Sequence, residues 1–518
     1  MKEKSMWPPR VVIAAMNVVL AGCAGSALEL APISHDRPWR PTTDTSGAIQ
    51  PARESTAASS YVLPSNSALS TLPPPATMID PAHVYTLPEL IDIAQSNNPS
   101  TRIAWSIARN AALAAGVARS TYLPHISASV VGAHQRARTE TSLLNLSENN
   151  TTTTSGTIST LSLQWLLFDF GKRSAVVQAA EQLSVAANVA FTGVHQKLIH
   201  DVALAFYAHG AARAHVDTAD KALKNATDVE EAAQQRFKRG IGTVIEVSKA
   251  QQFTARARLG QVQARGAAQN TYLALLTTMG ISPLTQIKVE DLSDRKLSPA
   301  MMESIDGIIA QSLARRPDML AAYAAQKASE AGIAAARAEF LPKLFLAATG
   351  SYNSGRVVGV SSLPGFGDQA PTLNISGTRY GSIVVMGITI PIFDGGFRDA
   401  SLKRARIDAD RAQASLERTR DDAVKQIVAA HNALETSLSA YDAASAFQAA
   451  ARTTFDAALD AYRNGVGSVT DATIAETEFL EASNATTDAR SAALASAATL
   501  AFATGGLGDV SALGVGSK

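Results

Sequence analysis

The chain has one cysteine, Cys23, in 518 residues. Disulfides within the chain are therefore excluded, and a lone exposed thiol outside the cytoplasm would be a liability unless modified. Aromatic residues make up only 6% of the sequence against an apolar fraction of 46% in which alanine dominates. That balance suits close helix packing better than a core of bulky rings. Net charge is only +1, so nothing in it argues for nucleic acid or an anionic surface. No nucleophile motif, phosphate loop or carboxylate pair with a recognisable signature is present. His195, His200, His209 and His215 are spaced by five, nine and six residues, unlike the i, i+4 pair of a helical metal site. Catalysis, metal binding and cofactor binding find no support.

What is present is a long internal duplication. The stretch LSLQWLLFDFGKRSA, Leu161 to Ala175, returns altered as MGITIPIFDGGFRDA, Met386 to Ala400. In each copy an apolar alternation ends at Phe-Asp, a glycine follows (Gly171, Gly396), and a basic, alanine-rich helical pattern begins. Leu123-Pro124 matches Leu341-Pro342 at an offset of 218, and Phe168-Asp169 matches Phe393-Asp394 at 225. The second copy thus has a longer connection between Pro342 and Phe393. A repeat of this length is a fused supersecondary unit rather than a solenoid turn.

The first residues carry Lys2, Lys4 and Arg10, then an apolar run from Val11 to Leu20 broken only by Asn17, then Leu20-Ala21-Gly22-Cys23. The run is too short to span a bilayer and fits a secretory signal. The tetrapeptide resembles a bacterial lipobox, in which Cys23 becomes acylated and leads the mature chain, and Ala24 after it implies sorting to the outer membrane. The expected organisation is a signal peptide over 1–22, a Pro/Ser/Thr/Ala-rich flexible tether over 23–85, repeat 1 over 86–280, an irregular linker over 281–304, repeat 2 over 305–505 and a flexible tail over 506–518.

Within repeat 1, Leu87, Leu90, Ile91 and Ala94 have helical spacing before Asn98-Pro99, and a second helical pattern stops at Leu123-Pro124. Period-two alternation over 126–135 and 158–168, with Ser/Thr/Asn-rich sequence between, predicts a hairpin with a long polar loop. Leu161, Leu163, Trp165 and Leu167 fall on one strand face, and Met386, Ile388 and Ile390 on the matching face of repeat 2. Either a soluble sheet covered by a helix or a lipid-facing barrel wall would look this way. Strands of about 10 residues suit the barrel, which four strands cannot close, because an open edge cannot face lipid. Oligomerisation follows.

Proline-free sequence from Gly171 to Lys238 reads as one helix roughly 100 Å long, and 397–463 is its counterpart. Small or apolar residues step by three and four along both, at Val177, Ala180, Ala187, Phe191, Leu198, Val202 and Ala205, and at Leu402, Ala405, Ala409, Ala412 and Leu416, then Ala423, Ile427, Ala430 and Leu434 after a stutter. That is coiled-coil spacing. Each helix ends at a glycine pair, Arg239-Gly240-Ile241-Gly242-Thr243 and Asn464-Gly465-Val466-Gly467-Ser468, with Thr243 and Ser468 placed to cap return helices over 244–279 and 469–504. With no strand before it and no third glycine, the G-x-G is not a nucleotide site.

The lipobox, the duplicated strand-loop-strand, the Leu-Pro and Phe-Asp-x-Gly junctions and the two glycine tips together resemble the TolC family of outer-membrane efflux proteins over 86–504. The resemblance implies a mainly α fold with a small transmembrane β part: a trimeric 12-stranded β-barrel continued by a periplasmic α-helical barrel. It implies glycine tips that meet a periplasmic adaptor (membrane fusion) protein coupled to an inner-membrane pump, and acidic residues just past the tips, matched by Glu246 and Asp471, lining a constriction. A ring of such carboxylates would favour cations. Where some members have a latching arginine and a further aspartate, this chain has Gly467 and Ile474, so their gating network does not transfer. The expected function is a passive outer-membrane exit duct for small toxic compounds, not an enzyme. The outer-membrane component of type I protein secretion and a lipid-anchored coiled-coil scaffold without a pore are the alternatives.

Overall fold

The computed structural model describes residues 79–143, 146–291, 305–355, 359–362, 372–375 and 379–507, with short pieces of 35–69. Cys23 and the expected signal peptide lie outside the described residues, as does the expected tail beyond 507. The chain divides into Met1–Met78 and Ile79–Lys518. In the first unit, β1 (Thr42–Thr43) pairs antiparallel with β2 (Ile49–Gln50), a short ladder within what the composition suggests is tether.

The second unit opens with β3 (Val84–Tyr85) and α1 (Leu87–Asn97). Thr86 caps α1, its N–H donating to Glu89 Oε2 at 2.7 Å, and Leu87, Leu90, Ile91 and Ala94 are the buried face that their spacing predicts. Asn98 ends α1 and caps α2 (Pro99–Ser120) by accepting from the Ser100 N–H at 2.8 Å. After the hairpin β4 (His125–Leu143) and β5 (Leu146–Phe168) come α3 (Lys172–Lys238) and its return helix α4 (Val244–Met279). β6 (Lys288–Val289) pairs parallel with β3, so the linker expected to be irregular contains a strand. Repeat 2 then runs α5 (Ile305–Leu313), α6 (Pro317–Ala338), β7 (Lys343–Gly355), β8 (Gly359–Ser362), β9 (Thr372–Ile375), β10 (Tyr380–Thr389), α7 (Phe397–Arg463) and α8 (Val469–Ala503). Both α3 and α7 have 67 residues. Among the described residues no helix is long and apolar enough to cross a membrane.

The polar loop expected between 135 and 158 is instead ladder. β4 and β5 stay paired out to Leu143↔Leu146, and the threonine-rich run at 151–154 fits because a β-branched side chain favours extended backbone with or without apolar alternation. The two hairpins join in one antiparallel sheet of order β10-β7-β5-β4, so β5 and β7 meet at its centre. The longer second connection carries its own two-stranded ladder of β8 and β9.

The helices pack through small residues. Ala226, Ala233, Ala250, Ala423, Ala472, Ala482 and Ala493 are all 0% exposed, which lets backbones approach more closely than leucine would. A bulkier set, Val202, Phe206, Leu275, Leu276 and Met279, is buried on α3 and α4, the two helices that α1 packs against. The repeats also share a joint. Asn98 Nδ2 donates to the Thr278 carbonyl at 2.8 Å, and Arg316, at the matching place, donates through Nη1 to the Ala503 carbonyl at 2.7 Å. Each ties the start of an inner helix to the end of that repeat's return helix, with a left-handed glycine beyond it, Gly280 (φ +74) and Gly505 (φ +71).

Candidate functional site: a two-faced sheet, its joint to the helices, and the hairpin tips

Directly paired residues of a sheet share a face, and the register assigns those faces. Ile126, Leu163, Ala348 and Val384 form one row across all four strands, and Trp165, Leu346 and Met386 form the next. Leu161 is 58% exposed, Met386 65% and Ile388 66%, with Leu163 and Trp165 half-buried. The other face carries the row Ser127, Ser162, Thr349 and Ile383, then Ser129, Thr160, Ser351 and Gly381. Ser127 and Ser162 hydroxyls meet at 2.8 Å. One face is greasy, and the other carries a band of hydroxyls across these two rows.

Two expected members leave the apolar row. A register shift between Leu166 and Phe168 makes Leu167 a bulge residue, and the extra residue reverses parity, so Phe168 sits opposite Leu344 in its place. Ile390 lies one residue past the end of β10 at Thr389; it is exposed but belongs to the connection.

The sheet passes into the helices at Phe-Asp-x-Gly, where the structure supplies a partner that the repeat comparison did not single out. Asp169 Oδ2 accepts from both the backbone N–H and Nε of Arg173 at 3.0 Å. The rest of that guanidinium donates to the carbonyls of Thr121 (3.1 Å), Leu166 (2.6 Å) and Leu167 (3.1 Å) and lies 4.9 Å over the Tyr122 ring. In repeat 2, Asp394 holds Arg398 the same way, with Nε at 2.6 Å and Phe340 beneath. Backbone geometry matches: Gly171 and Gly396 start the helices at φ 92 and 89, preceded by Phe170 at φ 52 and Gly395 at φ 67. An i, i+4 Asp/Arg pair at the head of each long helix is visible in the sequence, hidden in a run read only as basic.

At the far end the glycine pairs build matching tips. Gly240 (φ +76) and Gly465 (φ +83) reverse the chain in the left-handed region. The N–H groups of Ile241 and Gly242 return to the Arg236 carbonyl, and those of Val466 and Gly467 to Ala461. A Cβ on Gly467 would come within 3.0 Å of the Ala461 Cβ, which accounts for glycine there. Thr243 Oγ1 accepts from the Glu246 N–H at 3.2 Å and Ser468 Oγ from the Asp471 N–H at 3.1 Å. Glu246 and Asp471 thus occupy the first turns of α4 and α8, where the helix dipole favours negative charge. Asp471 is exposed and accepts from Ser468 Oγ at 2.8 Å. Glu246 is half-buried, and its Oε2 has no partner among the described residues.

Glu246 lies near Tyr462, which is fully buried beneath the Arg236 guanidinium, 5.2 Å from its ring. Burial raises the Tyr462 hydroxyl above its ordinary pKa; Glu246 adds to the rise and Arg236 opposes it. Arg239 sits with Arg236, Arg463, Asp228 and Glu231 in a charged cleft of about 470 Å³. Asn464 caps α7, and its side chain donates back to Asp460. Large apolar side chains are exposed at the tips: Ile241 (64%), Val244 (63%), Ile245 (65%) and Val466 (84%). Ile241 and Val466 are the central residues of the two Gly-x-Gly tripeptides, so this much was available from the sequence.

Three of the four histidines of α3 are struts between helices, while His195 packs edge-on against Phe191 of the same helix. His200 reaches Thr499 at 3.1 Å, His209 Thr271 at 3.3 Å, and His215 both Asn484 (2.9 Å) and Asp488 (2.7 Å). Among the described residues no group of side chains could hold a metal.

An edge-open sheet with unlike faces, running into long helical hairpins that end in capped glycine tips, is the architecture of outer-membrane channel subunits. A solved structure of the outer-membrane channel OprN superposes with a TM-score of 0.69 at 21% identity, covering 83% of this chain and 94% of that one. The outer membrane efflux protein family model matches residues 90–281 and 308–506, and the chain belongs to that family. Protein CyaE of Bordetella pertussis is 29% identical over 415 residues, 79% of this chain and 81% of that protein. Outer membrane protein OprJ of Pseudomonas aeruginosa is 25% identical over 422 residues, 81% of each. Membership places the protein among outer-membrane efflux components rather than enzymes.

Proposed function

We propose that three copies close their sheets edge to edge into one barrel through the outer membrane, continued by a tunnel of helices into the periplasm. The observation that carries this reading is the sheet itself, with an apolar face, a band of hydroxyls on the other face, and β10 and β4 left as unpaired edges among the described residues. The repeat supports it. Inside a protomer α6 packs on α3, and Ala331 of α6 is 5% exposed. Its counterpart on α2 is Leu113, 66% exposed with Val117 beside it at 69%, a flank ready to receive α7 of the next copy. The barrel would then contain twelve strands from three four-stranded sheets.

The duct is passive, taking small toxic compounds from an inner-membrane pump through a periplasmic adaptor that docks on the tips. The family's description as efflux proteins supports export, and the exposed Ile241, Val244, Ile245 and Val466 give the adaptor an apolar contact beside Arg239, Gly240, Gly242, Thr243, Asn464, Gly465, Gly467 and Ser468. Leu161, Leu163, Trp165, Met386 and Ile388 face lipid, Glu246 and Asp471 ring the constriction, and Cys23 carries the lipid anchor. Purified oligomer in planar bilayers tests the reading: it conducts with a cation preference that falls in Glu246→Gln and Asp471→Asn. Absence of conductance would favour the pore-free scaffold, and an unchanged preference would remove the constriction assignment.

A further inference from the structure

Close to the tips, α8 buries a carboxyl group against α3. Glu476 is 1% exposed, about two turns into α8 from its Ser468 cap. The side chain bonds to Asn225 of α3 and faces Asp228, also of α3, while its Oε2 has no partner among the described residues. The repeat does not require it, since the matching residue on α4 is Gln251, which is exposed.

The surroundings offer little to neutralise a negative charge. On α3, Asp228 repels it and Asn225 is neutral. From the end of α7, Arg463 stands 3.9 Å from Asp228, and Tyr462 lies in the adjoining core with Val229, Ala233, Val469 and Ala472. Phe455 of α7 stacks on Phe479 of α8, and from α4 Lys249 reaches Thr470 at 3.3 Å. Desolvation raises the Glu476 carboxyl to about 7 from an ordinary 4.5; the Asn225 bond opposes the rise and Asp228 adds to it.

We propose that Glu476 is a proton-operated latch between the two helical hairpins of a protomer: with the carboxyl neutral α8 lies against α3, and with it ionised beside Asp228 the joint loosens and the two tips separate. The direction follows from linkage. Separation returns Glu476 to water and its ordinary 4.5, so between pH 4.5 and about 7 the packed form holds a proton that the separated form has lost. Packing therefore weakens as pH rises across that window, by roughly three hundred-fold in all in the ratio of packed to separated forms, and stays at the weaker level above it. The latch needs only the protomer; its consequence for passage rests on the channel reading above.

The test uses the full chain with spin labels at Ile241→Cys and Val466→Cys, and singly labelled chains to account for Cys23. Pulsed electron resonance should show the distance between the tips lengthening as pH is raised toward about 7. Glu476→Gln, which keeps shape and hydrogen bonding without the charge, should hold the short distance throughout, and Asp228→Asn should move the midpoint to lower pH. Infrared difference spectra should show a protonated-carboxyl band at acid pH that is missing from Glu476→Gln. A distance that ignores pH, or a response that survives in Glu476→Gln, overturns the proposal. If distances respond but the protein forms no conducting pore, the latch stands and the channel reading falls.

Discussion

Replacing Asp169 by alanine should be among the costliest single changes at the joint between sheet and helices. The carboxylate is 5% exposed and its Arg173 partner 10%, and the substitution removes the acceptor for two bonds at 3.0 Å while leaving the guanidinium buried. Breaking one side of a buried pair costs about 3 to 5 kcal/mol. The lower end is expected, because Arg173 keeps its carbonyl contacts to Thr121, Leu166 and Leu167. Arg173→Met removes the cation instead, and the double variant should recover part of the loss, with a coupling energy of about 2 kcal/mol. Chemical denaturation can be followed at the site itself, since the Trp165 indole donates to the Tyr122 carbonyl at 2.8 Å and Tyr122 is the ring beneath Arg173. Trp7→Phe, Trp39→Phe and Trp105→Phe leave it as the single probe. Asp394→Ala should cost less, its carboxylate being 30% exposed. A loss below about 1 kcal/mol for Asp169→Ala, or coupling below about 0.5 kcal/mol, would refute the view that this pair fixes the joint.

Three further outcomes follow from the geometry. Thr243→Ala and Ser468→Ala should each remove about 1 kcal/mol of local stability, read as faster hydrogen exchange confined to the first turns of α4 and α8. Gly280→Ala should destabilise more than Gly505→Ala in thermal unfolding: both force a left-handed alanine, but at Gly280 the new Cβ falls 2.6 Å from the Asn98 Cα, whereas at Gly505 the nearest backbone is at an ordinary contact distance of 3.5 Å. His209, 7% exposed, has its pKa lowered to about 4, first by burial and then by the charge of Arg213. The unfolded chain takes up a proton near 6.5 while the folded one resists until about 4, so stability should fall as pH drops through that interval and His209→Gln should flatten the fall.

The ends of the long helices were legible because both are marked by local chemistry. Asp-x-Gly before Lys172 and Phe397, and glycine pairs after Lys238 and Arg463, set backbone angles that need no tertiary help. The buried stripe at Leu416, Ala423, Ile427 and Ala430 was legible for a related reason, since periodicity survives in a helix that packs along its length. What stayed hidden depended on distant partners or on side chains without a periodic signal. The 151–154 threonines look like loop until β4 is laid beside them. Leu167 continues the alternation on paper, and only the register against β7 reveals the bulge. Pairing of β5 with β7 joins segments far apart in the chain, and Glu476 reads as an ordinary helix surface charge until α3 covers it.

Uninterrupted helices of 67 residues also make mechanical levers. Each meets the sheet at a left-handed glycine, Gly171 or Gly396, and is roughly 100 Å long. A swing of about 5° there, small enough for a few backbone torsions to share, would carry the opposite end through about 9 Å. Wide travel at the tips would therefore ask almost nothing of the sheet.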